Sequence, residues 1–421
     1  MGICASLGER LISFDKEQAG AVYPNGVWEK NRKAVYLVCE PGYPNYGDEL
    51  IASEWLRYID ELDPDLPVIV DCSRPGPATS ILHGIHKNLI CTDTISRLVF
   101  EPHLISVAYD AVMPIAEAVS DALNWKDGNP RYASGIRLIE DHVCAIHYLG
   151  GGYMNGMWKQ NLARLELGRW AAAARGIPVI ATGLGLMPLD DEDKEYVRSS
   201  TSGFEFVGLR DESSFEVMGG VGNAYLMPDD CFINALDGCI RKPNLKTGET
   251  FPEFIVCVQS EFGSDSKRMF DTVTGALDTW DASKDNGSVG VIECNPVCDR
   301  QIYDYLVEKG YHPRFFSTLE LLEKGLPIAE NQKWISSRYH PHLIASSFGC
   351  SGGFLLTDER YYSVKQEAVH RMGSNWKLIA LGNIPDTPGS GFADTLVRER
   401  YSVEIRSAVD PFYDKIIRYS S

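Results

Sequence analysis

Short runs of consecutive apolar residues, too brief for helices, recur along almost the whole chain and are separated by amphipathic stretches. Ala34–Glu40, Pro67–Cys72, Val143–Leu149, Ile177–Thr182, Phe206–Arg210 and Ala224–Met227 show little polar–apolar alternation. That is the pattern of strands covered on both faces. Between them, Glu49–Leu62, Ala111–Trp125 and Trp158–Ala174 carry apolar residues at helical spacing, and a short helix is expected from Glu212. The pattern pauses over the polar stretch Asp237–Glu253 and then restarts. Strands are expected at Phe254–Gln259, Val289–Glu293, Arg314–Phe316, Trp334–Ser336 and Gly353–Leu356. Helices are expected at Arg268–Trp280, Arg300–Lys309, His342–Ser347 and Val364–Met372. Such alternation specifies two successive α/β units built on parallel sheets. The expected division is an N-terminal domain, 1–236, with 1–33 an unassigned extension; a linker, 237–253; a C-terminal domain, 254–402; and a final helix, 403–421, packing back on the first domain.

Length and charge agree with this and exclude some partners. A chain of 421 residues has room for two large domains. It carries 58 acidic and 40 basic residues, a net charge of −18. That balance argues against a nucleic-acid or anionic-membrane surface but leaves room for a small basic pocket. No apolar run approaches the roughly 18 residues a spanning helix needs. The 11 cysteines are odd in number and form no CxxC pair, so they read as reduced and structural. Cys294 and Cys298 lack the second pair or histidine that a zinc site requires. Met1–Ser6 fits a short acylation pattern, but six residues match such a pattern easily by chance and an ordinary start is the preferred reading. The expected location is the cytoplasm, or the inner face of a membrane in a peripheral association.

Four places beyond strand ends carry unusual chemistry. Asn45-Tyr46-Gly47-Asp48-Glu49-Leu50 combines a glycine with the start of a helix, where free amides face a ligand; Asp48 also fits as a helix N-cap. Gly150-Gly151-Gly152 exposes backbone after a strand; a tight turn is the plain alternative. Arg210, at the end of Phe206–Arg210, suits a carboxylate or phosphate because its planar fork binds two oxygens, unless it pairs with an acid. Ser336-Ser337-Arg338-Tyr339-His340-Pro341-His342 places arginine and histidine ahead of a helix expected to begin at Pro341, a good seat for a phosphate-bearing acid.

In this order the four segments resemble the polysaccharide pyruvyl transferase family. The resemblance runs from about Val35 to Met372 and includes Ala345, Gly349, Tyr361 or Tyr362, and Lys365. It departs at Gly349–Gly353, and residues 1–33 and those after Met372 match nothing in it. It implies two Rossmann-like domains facing a cleft, GT-B-like. It implies transfer of the pyruvate of phosphoenolpyruvate to a glycan or glycolipid as a cyclic ketal, with phosphate released and no other cofactor or metal. His340 is then the catalytic histidine. Arg210, Arg338 and Lys365 hold the donor; Asn45, Gly47, Asp48, Gly150, Gly151 and Gly152 line the acceptor side of the cleft, and Asp229, by its place after the last strand of the first domain, is expected to face it too.

Two alternatives stay open: a GT-B glycosyltransferase using a nucleotide sugar, and a non-catalytic glycan- or nucleotide-binding protein. The pairs Asp190-Asp191 and Asp229-Asp230 resemble metal ligands but read better as a surface run and a helix-capping or hydroxyl-binding acid. His83, His86 and His147 read as structural, and Trp158 as a possible border of the acceptor. The acceptor sugar and the oligomeric state are not legible.

Overall fold

The computed structural model describes residues 32–101, 111–124, 130–243, 249–260, 266–285, 287–296, 298–357 and 359–420. Apart from Arg32 and Lys33, the N-terminal extension with its acylation-like start lies outside the described residues. So do 244–248 of the linker, and nothing is said of the side chains of Tyr361 and Tyr362.

The apolar runs form strands in two wholly parallel sheets. The first contains β1 (Ala34–Val38), β2 (Val68–Asp71), β3 (Leu89–Thr92), β4 (Val143–Tyr148), β5 (Val179–Leu184), β6 (Phe206–Leu209) and β7 (Ala224–Leu226), in the order β3-β2-β1-β4-β5-β6-β7. The second contains β8 (Phe254–Cys257), β9 (Val289–Ile292), β10 (Arg314–Phe316), β11 (Lys333–Ser336), β12 (Ser351–Phe354) and β13 (Lys377–Leu378), in the order β10-β9-β8-β11-β12-β13. Both follow the doubly wound dinucleotide-fold order. Each therefore has a switch point, at β1/β4 and at β8/β11, where ligands bind beyond the carboxyl ends of strands. Two such units facing one cleft make the fold GT-B-like.

One hydrophobic core joins the halves, running from Leu37 and Val70 of the first sheet to Ile255 and Trp334 of the second. The helix Tyr46–Leu62 lies in this core with Leu50, Ile51, Trp55, Leu56 and Ile59 buried. It starts three residues earlier than it would with Asp48 as its cap. Asn45 is the N-cap, its side chain accepting from the Gly47 amide at 3.4 Å, while Asp48 accepts from Asn45 Nδ2 at 2.7 Å. The continuous helix expected over Trp158–Ala174 is broken into a 3₁₀ turn (Gly156–Trp158), the helices Lys159–Leu162 and Leu165–Trp170, and a wider turn at Ala171–Arg175. The helix expected at Pro341 begins at Tyr339.

The last helix, Val397–Ser420, lies against the first sheet. Ser402 Oγ donates to the Ile233 carbonyl at 2.7 Å, and Tyr413 enters the core. Burial pushes the His147 imidazole down to about 3, so it is neutral. Its Nε2 lies 2.8 Å from Thr182 Oγ1, whose hydroxyl donates to Asp230 Oδ2 at 2.7 Å. The proton of His147 is therefore on Nε2, and Nδ1 accepts from the Tyr413 hydroxyl at 2.9 Å. Asp230 Oδ2 also accepts from the Gly150 amide at 2.7 Å and Trp55 Nε1 at 2.9 Å. A buried relay thus ties the C-terminal helix to the glycine turn.

Replacing Tyr413 by Phe leaves the Nδ1 of His147 without a partner inside the core. An unpartnered buried acceptor costs about 1–3 kcal/mol, so Tyr413→Phe should lower the free energy of unfolding by that amount, read as a lower denaturant midpoint at unchanged slope. An unchanged midpoint would show that this relay contributes nothing to stability.

Candidate functional site

A cavity of about 830 Å³ opens where the carboxyl ends of the two sheets meet. Eight of the expected site residues line it: Asn45, Gly47, Asp48, Gly152, Arg210, Arg338, His340 and Lys365. They come from the turn after β1, the turn after β4, the end of β6, and the two helices Tyr339–Ser347 and Glu359–Met372 of the second half.

Gly150, Gly151 and Asp229 are brought close but stand behind this surface. Gly150 donates its amide to Asp230, and Gly151 bridges to Leu184 of β5. Asp229, expected as a hydroxyl-binding acid in the cleft, is fully buried. Its Oδ2 accepts from Arg210 Nη1 at 2.8 Å, its Oδ1 accepts from the Cys231 amide at 3.0 Å, and Oδ1 lies 3.6 Å from His340 Nε2. Burial disfavours its charge, yet His340 and Arg210 outweigh that and hold the carboxyl well below the usual range. Asp229 is therefore a permanent anion that caps its own turn and holds two cleft residues. It does not meet the cleft itself.

His340 is the second residue of its helix and leans on the first half of the protein. A Cβ placed on Gly47 would lie 1.9 Å from His340 Nδ1, so only glycine leaves room for the ring. His340 Nε2 is buried without a hydrogen-bond partner among the described residues. Gly152 plays the same part for two other groups: a Cβ there would lie 2.7 Å from Lys365 Nζ and 3.2 Å from Arg210 Nη2.

Both arginines have carboxylate partners. Arg210 pairs with Asp229 and lies 4.4 Å above the Tyr339 ring. Arg338 sits at the N-cap position and grips Asp299, Nε at 2.7 and 2.9 Å and Nη2 at 2.6 Å. Asp299 Oδ2 also accepts from the amides of Cys294 and Asn295, each at 2.9 Å. Cys257, Cys294 and Asp299 bring potential metal-ligating atoms within 4.8 Å of one another. The Asp299 carboxylate is already committed to Arg338 and two amides, and burial pushes the Cys257 thiol well up, so this trio reads as packing.

Lys365 and Asp48 are the groups whose charge this site unsettles. Burial, then Arg210, presses the Lys365 ammonium well below its usual value, with Asp48 opposing. Burial raises Asp48 to about 6 against the lowering pull of His340. A carboxyl at that value exchanges a proton near neutral pH.

His342, His147 and Asp190 serve packing and capping. His342 is fully buried; Nε2 lies 2.8 Å from Ser374 Oγ, Nδ1 contacts Gln366, and its ring stacks on Trp376 at 4.4 Å. His147 belongs to the relay, and Asp190 caps the helix Asp191–Thr201. Several cleft residues carried no sequence signal: Tyr339 beneath Arg210, Asp299 behind Arg338, and Glu40 and Asn161 on the far wall. Tyr339, Asp299 and Glu40 act through partners distant along the chain.

The fold sets this site in a cleft between two Rossmann-like halves. The chain matches the polysaccharide pyruvyl transferase family over residues 45–355 and belongs to that family. It is thus a transferase. No curated protein resembles the chain closely enough to count as a match. Solved structures similar to it include a UDP-N-acetylglucosamine 2-epimerase from Listeria monocytogenes, 10% identical with a TM-score of 0.48, over 90% of this chain and 97% of the other. The UDP-GlcNAc 2-epimerase of Neisseria meningitidis bound to UDP-GlcNAc is 9% identical with a TM-score of 0.44, over 92% and 94%. A glycosyltransferase from Rickettsia africae is 8% identical with a TM-score of 0.42, over 92% and 99%. No helix among the described residues is long and apolar enough to cross a membrane.

Gly47→Ala should expel the His340 ring from its seat. The expected outcome is a fall in turnover of at least about 10²-fold, the lower end of a general acid–base contribution, in protein whose circular dichroism is unchanged. Wild-type turnover in that variant would separate His340 from the chemistry.

Proposed function

We propose that the chain transfers the pyruvate of phosphoenolpyruvate to two hydroxyls of a sugar as a cyclic ketal. The observation that carries this reading is the convergence of Arg210, Arg338, Lys365 and His340 on one cavity. The donor carries a carboxylate and a phosphate, and such a ligand needs several charge-assisted donors at once. Membership of the pyruvyl transferase family supports the same reading.

The balance of the reaction assigns the remaining roles. The donor's methylene carbon gains a proton and becomes a methyl group, while its central carbon takes the oxygen of a first hydroxyl. A second hydroxyl then displaces phosphate at that carbon, closing the ketal. Of the two hydroxyl protons, one balances the methyl group and the other leaves with phosphate. His340 stands beside the cations and acts as the acid toward the methylene carbon. Asp48, raised to about 6 and lining the same cavity, takes the hydroxyl proton. Arg210 and Arg338 hold the anionic groups, and Lys365 stabilises the departing phosphate.

Incubation with phosphoenolpyruvate and simple glycosides should release phosphate and give a product heavier by the pyruvate ketal. Turnover of a nucleotide sugar, with no phosphate released from phosphoenolpyruvate, would overturn the reading. Arg210→Ala and Arg338→Ala should each weaken donor binding by about ten- to a hundred-fold, since a hydrogen bond to a charged group contributes about 1.5–3 kcal/mol; calorimetry measures this.

The two neighbouring histidines give a sharper test. His340→Ala should lose about 10²–10⁴-fold in turnover with the fold intact. His342→Ala should lower the melting temperature and leave the turnover of folded protein near wild type. The reverse result would remove His340 from the mechanism.

A base must be ionised to act. Asp48 becomes protonated as pH falls through about 6, so kcat/KM should drop about tenfold per pH unit below that value. Asp48→Asn should abolish this acid limb together with most of the activity. An unchanged acid limb in the residual activity would assign the base elsewhere.

A further inference from the structure

The two ring nitrogens of His340 sit in different surroundings. Nε2 is buried and makes no hydrogen bond among the described residues. Its polar neighbour is Asp229 Oδ1, 3.6 Å away on the first half of the protein. That carboxylate is itself fully buried, and it is fixed in place by Arg210 Nη1 on Oδ2 and by the Cys231 amide on Oδ1. Nδ1 lies on another edge of the ring, over Gly47, and both of these residues line the cavity. A ligand in the cavity therefore meets Nδ1, while Nε2 is turned to the anion behind the wall.

Electrostatics decides which nitrogen keeps the proton when the ring is neutral. Burial opposes the charge of Asp229, but His340 and Arg210 keep it ionised. A lone pair on Nε2 would face that anion and be repelled, whereas an N–H in the same place is attracted. A bare Nε2 would also set two buried acceptors against each other. Asp48 is the other acid that acts on the ring. Its claim on the proton is weaker, because burial raises its carboxyl to about 6 and its Oδ2 is spent on Asn45 Nδ2 at 2.7 Å. Contacts of this kind are commonly long without a ligand and tighten once one binds.

We propose that Asp229 is a positioning residue for His340: it fixes the neutral ring as the Nε2–H tautomer, so that Nδ1 is the nitrogen that gives and takes protons in the cavity. The arrangement reverses that of a serine-protease triad, in which the carboxylate holds Nδ1 and Nε2 meets the substrate. It also explains why Gly47 lacks a side chain, since a Cβ there would lie 1.9 Å from Nδ1 and cover the exchanging nitrogen. The fate of the proton rests on the reading given above. The imidazolium gives its Nδ1 proton to the methylene carbon, Nε2 keeps its own beside Asp229, and one of the two hydroxyl protons restores Nδ1. The tautomer itself needs no substrate.

The test is nuclear magnetic resonance of the whole chain with isotope-labelled histidine nitrogens, His340 being assigned by the signals missing from His340→Gln. The Nε2 proton should be visible and protected from exchange with water on both sides of the ring's titration. Only Nδ1 should pass from protonated to bare as pH rises. Asp229→Asn should abolish this preference, giving a mixture of tautomers or Nδ1–H, and should cut kcat at saturating donor by at least about 10²-fold. Arg210→Ala should keep the Nε2–H signal while weakening donor binding, which separates the tautomer from the anchoring of Arg210. Titration of Nε2 in the wild type, or an Nε2–H tautomer unchanged in Asp229→Asn, would overturn the assignment; if Asp229→Asn does not fold, the wild-type titration alone decides. If Nδ1 alone titrates and phosphoenolpyruvate releases no phosphate with any glycoside, the positioning stands and the pyruvyl-transfer reading fails. If transfer proceeds and Nε2 is the nitrogen that titrates, the transfer reading stands and the positioning falls.

Discussion

Two adjacent carboxyls, Asp229 and Asp230, hold this structure's site together, and they do so by having opposite neighbours. Both are fully buried in the turn after β7. Asp230 meets only neutral donors: the Gly150 amide, the Thr182 hydroxyl and the Trp55 indole. Burial raises it to about 7. Asp229 meets a guanidinium and an imidazole, and they keep it ionised despite equal burial. One short turn therefore fixes the backbone of the glycine loop on one side and anchors Arg210 beside His340 on the other. Removing either carboxyl would leave buried donors or a buried cation unpaired, the kind of change that costs far more than the pair contributes.

The arginines of the cleft are not bare charges waiting for an anion. Arg210 belongs to Asp229 and Arg338 to Asp299, each pair held at hydrogen-bond distance and almost without exposure. Such pairing orients the guanidinium forks and leaves part of each fork to a ligand. The group whose ionisation responds is Lys365, pressed toward its neutral form by burial and by Arg210. An arriving dianion favours the charged form of that lysine.

How much of this was legible in the chain depends on whether the deciding contacts were local. The central strands declared themselves because burial on both faces demands continuous apolar residues, as in Ala34–Val38 and Val179–Leu184. The edge strand Leu89–Thr92 is only partly buried, and the seven-residue helices Pro75–Ile81 and Thr94–Phe100 are too short to show a period, so none stood out. The Ala- and Leu-rich stretch after Trp158 hid its breaks, since helix propensity there is uniform and the interruptions serve tertiary contacts of Asn161 and Arg164. Pro341 suggested a helix start at itself. It is the third residue of the helix, still in the first turn where a missing amide hydrogen has no intrahelical use, so proline is equally at home two residues further in. The cleft motifs were readable as residue types in order. Their pairing was not: Asp299 and Arg338 are 39 positions apart, and Arg210 and Asp229 are 19 apart.

The glycines of those motifs show why the order of residues carried chemical meaning even where contacts could not be read. Gly47 and Gly152 belong to the first half of the chain, and the atoms that fill the space over them belong to the second: His340 Nδ1 and Lys365 Nζ. The absent side chains are sockets for groups delivered from the other sheet. Any side chain at either position would meet that nitrogen before the halves could close to their observed separation. The Tyr46 amide, donating to the Cys294 carbonyl at 2.8 Å, fixes that approach within one residue of Gly47. Docking of the halves and assembly of the site are therefore one event. The imidazole reaches Asp229, and the ammonium reaches Arg210 and Asp48, only where first-half backbone without side chains lets the second half press this close.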